Sequence, residues 1–155
     1  MTYYRNTVSE EDVRCGLPVF VFGTLRPGCG NDRRWHDIAV SACDGTAVLR
    51  DHRLVTNGSF PYCLPAEGEQ TVGCLIVPRV GQTRAALESM DALEGVPVHY
   101  NRKRCTVEVP GAIVQAWYYV PDDWESYSDL PAVPKNDWSH REQRHNPWLT
   151  RQAHG

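Results

Sequence analysis

The sequence predicts an α+β fold or a small barrel, not a doubly wound α/β sheet. Two observations carry this. Stretches that read as strands outnumber the one strong helix, and they do not alternate with it. The 155 residues, 41% hydrophobic and 23% charged, suit one domain around a single core.

The elements follow in chain order. Residues 1–17 are polar and read as an extended lead-in. Val19 to Phe22 is a β-branched and aromatic run, a buried strand stopped by Gly23. RPGCGNDRR (26–34) is loop chemistry, and Trp35 to Val40 opens as a short helix. Residues 46–65 read as two short strands and turns, with Asn57-Gly58 as the turn signal. TVGCLIVP (71–78) is a strand closed by Pro78. From Thr83 to Glu94, Ala86, Leu87, Met90 and Leu93 recur at helical spacing. Gly95 stands where a C-terminal cap belongs, and Pro97 forbids continuation. Residues 99–110 and 112–121 read as strands, and Trp117, Tyr118 and Tyr119 as packing residues within the second. The chain therefore divides into the lead-in 1–17, a domain 18–121 and an extension 122–155. The extension is expected to pack on the domain through Trp124, Trp138 and Trp148.

Composition excludes several classes. A net charge of −3 and a pI near 6.0 give no field for nucleic acid. No apolar run approaches the ~20 residues of a bilayer span. The first residues hold no apolar signal core, so a cytoplasmic protein is expected. Cysteines at 15, 29, 43, 63, 74 and 105 form no C-x-x-C pair and are expected to be reduced. The histidines at 36, 52, 99, 140, 145 and 154 show no metal-ligand spacing, so no metal is expected.

Two segments hold candidate chemistry. VFVFGTLRPG (19–28) ends a strand in glycine, threonine and arginine. Its backbone N–H groups can hold a carboxylate, with Arg26 adding charge; the competing reading is a tight turn with a surface arginine. In MDALEGVP (90–97), Glu94 falls on the last helical turn. The macrodipole there is negative, which disfavours a carboxylate and raises its pKa, as a general base near neutral pH requires. The competing reading is a solvated glutamate, and Asp91 is the competing acid. No G-x-S-x-G elbow is present, and no local signature supports Cys29 or Cys63 as a nucleophile.

Taken in order, FGTLRPG with Asn31, GSFPYCLP, VGCLIVP, MDALEG, a Y-x-R, AWYYV and the tail NDW (136–138) resemble the γ-glutamylcyclotransferase-like family, which includes γ-glutamylamine cyclotransferases and AIG2-like proteins. The resemblance spans Val19 to Val120 and implies a small mixed β-barrel with flanking helices. It implies release of an amine from a γ-glutamyl amide as 5-oxoproline forms. The substrate's own α-amine attacks its γ-carbonyl, so no enzyme nucleophile, metal or cofactor is needed. The family's carboxylate-holding loop maps to Gly23, Thr24 and Leu25, its acid/base to Glu94, and a cavity-lining tyrosine to Tyr100. One departure is Phe22, where many members carry tyrosine. The leaving amine stays open: an amino acid, the ε-amine of lysine, a polyamine or a γ-glutamyl-protected intermediate. The alternatives are a binding module on the same fold and a cysteine-dependent hydrolase.

Overall fold

Five strands close into a barrel in the order β1-β3-β2-β4-β5. They are β1 (Val19–Val21), β2 (Ala39–Thr56), β3 (Pro61–Pro78), β4 (Asn101–Val109) and β5 (Ala112–Val120). The structure is a computed structural model, and it describes residues 7–141. Four neighbouring pairs are antiparallel. A parallel pairing of β1 with β5, Val19 beside Trp117, closes the ring. Among the described residues two α-helices, α1 (Glu10–Cys15) and α2 (Thr83–Glu94), flank it. This is the small mixed barrel that the resemblance implies.

Strand alternation divides the core in two. Val19, Val21, Ile76, Trp117 and Tyr119 face α2 and pack on Ala86, Leu87 and Met90. Phe20, Leu75, Ala116, Tyr118 and Val120 pack together on the opposite face of the same strands. The α2 bounds and apolar stripe match the expectation from periodicity. Gly95 ends the helix in the left-handed conformation at φ +68°, with the His99 ring against the space a Cβ would take.

Three expectations need correction. Residues 1–17 are not an extended lead-in throughout, because Glu10–Cys15 is helical. A capping box starts that helix: Ser9 Oγ accepts from the Asp12 N–H, and the Asp12 carboxylate accepts from the Ser9 N–H, both at 3.0 Å. Trp35 to Val40 forms no helix. A 3₁₀ turn at Asp32–Arg34 precedes it, and from Ala39 the chain pairs with β3, a ladder that a helix would leave open. The two short strands expected in 46–65 belong to two 18-residue strands. Their register shifts between Ala42 and Ala47 and between Arg50 and His52, where Cys43 and Asp51 hold positive φ. Such bulges let the strand continue through Asp44-Gly45. The Asn57-Gly58 turn forms as expected, with Asn57 Oδ1 accepting from the Ser59 and Phe60 N–H groups at 2.9 Å.

From Trp124 to Trp138 the chain packs on the barrel. Trp138 is buried, and Trp124 packs with Val133 against the same cluster as Phe20. Asn136 Oδ1 accepts from the Leu54 N–H at 2.9 Å, and Asp137 bridges to Val72. Trp148 lies outside the described residues. All six cysteines are unpaired, and Trp117, Tyr118 and Tyr119 are buried in packing. No helix among the described residues is long and apolar enough to cross a membrane.

Candidate active site

A cavity of about 530 Å³ opens where the C-terminal end of β1 meets the C-terminal end of α2. The stretch Phe22–Leu25 forms one wall and Leu93 and Glu94 another. Pro61 and Tyr62 from the start of β3, Val98 to Tyr100, and Tyr119 from β5 line the rest, with Asp123 and Tyr127 from the tail at its edge.

The loop wall is rigid for local reasons. The Arg26 N–H closes a turn on Gly23 O at 2.9 Å. The Asn31 N–H reaches Thr24 O at 2.8 Å, and Asn31 Nδ2 donates to Thr24 Oγ1 at 2.9 Å. Gly23 packs so closely on the Pro61 ring that a Cβ would overlap it. Among the described residues, no acceptor takes the backbone N–H of Gly23, Thr24 or Leu25. Three successive free donors beside a cavity suit an anion. Phe22 lines the same wall, 8% exposed, with its ring centroid 6.4 Å from that of Phe20.

Glu94, on the last turn of α2, lines the same cavity as this loop. Burial, and then the charge of Asp91, push its carboxyl up to about 7. No cation among the described residues offsets them, and the C-terminal helix dipole acts in the same direction. Tyr100 lines the wall beside it. Burial, and then Glu94, push its hydroxyl well above the ordinary tyrosine range, so it stays protonated and able to donate.

The competing acid is out of contention. Asp91 is 2% exposed and does not line the cavity. It accepts from Tyr119 Oη at 2.6 Å, Thr7 Oγ1 at 2.7 Å and Arg102 Nε at 2.9 Å. It is a structural anchor, with its oxygens occupied.

Arg26 is a correction. The arginine expected to add charge at the cavity is 4% exposed and points elsewhere. Its Nη1 donates to Asp137 at 2.8 Å and its Nε to Asp44 at 3.0 Å. A buried guanidinium needs such carboxylates, and this one ties the loop to the tail. Sequence reasoning missed Tyr62, Asp123 and Tyr127. No spacing links them, since the hairpin and the tail bring them together.

Barrel, loop and carboxylate together have the form of a cyclotransferase-type fold. The chain belongs to the family described as Gamma-glutamyl cyclotransferase, AIG2-like, which it matches over residues 19–140. An AIG2-like protein from Mus musculus is 26% identical, covering 75% of this chain and 84% of that one, at a TM-score of 0.58. A protein of Arabidopsis thaliana shares the fold at 16% identity, covering 88% and 87%, with a TM-score of 0.59. A gamma-glutamyl cyclotransferase shares it at 12% identity, covering 87% and 98%, with a TM-score of 0.52. No curated protein matches the chain in sequence.

Proposed function

We propose that the protein releases an amine from a γ-glutamyl amide and converts the glutamyl part to 5-oxoproline. The observation that carries this reading is Glu94, a carboxyl raised to about 7 that lines the same cavity as three unused backbone donors. The N–H groups of Gly23, Thr24 and Leu25 hold the substrate's α-carboxylate. That places its α-ammonium near Glu94, which takes one proton. The freed amine attacks the γ-carbonyl carbon, a C–N bond forms, and the bond to the leaving amine breaks. Glu94 then returns that proton to the departing nitrogen and takes the second proton from the ring nitrogen as the lactam forms; the amine carries this second proton away as an ammonium. Atoms and charges balance without water or an enzyme nucleophile.

Physical chemistry favours this division of labour. The attack is intramolecular, so fixing the carboxylate and the amine accounts for much of the barrier. A carboxyl tuned near neutrality serves as base first and acid second. In this reading Tyr100, on the cavity lining, donates to the carbonyl oxygen as charge develops. The family membership and the shared fold of a gamma-glutamyl cyclotransferase support the same reading. The test is 5-oxoproline release from a panel of γ-glutamyl amides. Release that disappears in Glu94→Gln is expected; a panel without any release overturns the reading.

A further inference from the structure

The glutamyl half of the proposed substrate uses the loop and Glu94, which leaves Tyr62, Asp123 and Tyr127 of the cavity lining unassigned. The Tyr62 and Tyr127 rings lie 4.5 Å apart between centroids, and Tyr62 stacks parallel to Tyr100 at 6.1 Å. Asp123 stands beside them at the start of the 3₁₀ turn Trp124–Tyr127. Burial, and then the Asp123 charge, push the Tyr127 hydroxyl up, which marks how near the carboxylate lies to that ring.

Asp123 has no cationic partner among the described residues. The nearby Lys103 pairs with Asp122 instead, at 3.6 Å. Among the described residues, the Asp123 carboxylate accepts only from Ser126 Oγ at 3.2 Å, a neutral donor within its own turn. Among the described residues, no lysine or arginine lines the cavity, and His99 is the one basic side chain on its wall. A leaving amine that carried a carboxylate would meet Asp123 with no cation to offset it. An ammonium would meet a carboxylate and the π faces of tyrosines.

We propose that the leaving amine carries a second, positively charged nitrogen, held between Asp123 and the rings of Tyr62 and Tyr127. The substrate class is then the γ-glutamyl amide of a diamine or polyamine. This rests on the cyclotransferase reading for the position of the glutamyl end. The carboxylate and aromatic faces recognise the cation whether or not the amide is cleaved. The cavity volume of about 530 Å³ falls within the range of small-molecule sites.

Three γ-glutamyl amides of equal reach separate the outcomes: those of 1,4-diaminobutane, n-pentylamine and 5-aminopentanoate. They end in an ammonium, a methyl and a carboxylate. Affinities are measured by calorimetry on Glu94→Gln at pH 8, so binding is read without turnover. The diamine amide is expected to bind tightest, about tenfold over the pentyl amide, with the carboxylate weakest. Adding Asp123→Asn should collapse the diamine's advantage. Equal binding of all three, or an advantage that survives Asp123→Asn, overturns the proposal. Release of 5-oxoproline by the unmodified protein is scored separately. Ordered binding without release sinks the cyclotransferase reading and keeps the cation site. Release with no order among the three does the reverse.

Discussion

Tyr119 donates a 2.6 Å hydrogen bond to Asp91, one helical turn before Glu94. The cavity wall is thereby tied to the charge that acts on the acid/base candidate. Tyr119 faces the cavity, while Asp91 lies behind it, held by Thr7 and Arg102 as well.

The rate should therefore follow Glu94. As the base it must be ionised, so kcat/KM is expected to rise with pH through a midpoint near 7. Asp91→Asn removes a charge that raises this value and leaves Arg102 less well paired. Both effects lower the midpoint. The variant should also lose about 3–5 kcal/mol of stability, as breaking a buried pair does. Initial rates between pH 5 and 9 check the shift, and an unmoved midpoint refutes the coupling.

Glu94→Gln should lower turnover by roughly 10²–10⁴-fold and make the protein more stable. Glutamate's folded value of about 7 lies above its ordinary value of 4.5. Below pH 4.5 it is protonated in both states and costs nothing. Between the two values only the unfolded chain releases the proton, so stability falls, and it stays lower above about 7. The variant should gain on the order of 5 °C in Tm at pH 8 and little at pH 4. Thermal melts at the two pH values check the sign.

Gly23→Ala places a methyl group against the ring of Pro61. Both residues line the cavity. The wall must shift, at about 1–3 kcal/mol of overpacking, and the donor loop moves with it. A raised KM and a lowered Tm are expected together. Unchanged kinetics would separate the loop from substrate binding.

Arg26→Gln should loosen the tail. Asp137 and Asp44 lose their partner, at a cost of about 3 kcal/mol or more for the buried pair. Limited proteolysis is expected to cut faster beyond Pro121 than in the unmodified protein. An unchanged cleavage pattern would show that the ion pair does not hold the segment.

Without reductant, the denatured protein should titrate six thiols, since no cysteine is paired. In the native state Cys63 and Cys74 should be the slowest to react, both being fully buried. Fewer than four thiols in denaturant would contradict this.

Local signals were legible wherever chemistry and periodicity coincide. Ala86, Leu87 and Met90 with Gly95 outline α2 from sequence alone, because the apolar stripe and its cap are contiguous. Gly23 marks the loop because the strand stops there. Arg26 was misread because its partner Asp137 lies far along the chain, and a lone arginine beside glycines resembles a ligand contact. Helix α1 carried a signal, Ser9 with Asp12, but its six residues hold no apolar stripe to draw attention to it. The long strands were read short because residues 44–45 and 66–70 carry glycine and polar residues in place of apolar alternation. Asp123 and Tyr62 meet only through tertiary structure, and no local rule could pair them.

The parallel junction of Val19 with Trp117 sets the order in which the molecule can assemble. The β2–β3 and β4–β5 hairpins zip from tight turns and enclose short loops, so each forms at small entropic cost. Joining β1 to β5 encloses roughly a hundred residues, a closure that comes late and slows folding. The donor loop follows β1 directly, so its final position waits on that closure. A refolding experiment should recover hairpin structure before it recovers any affinity for a γ-glutamyl ligand.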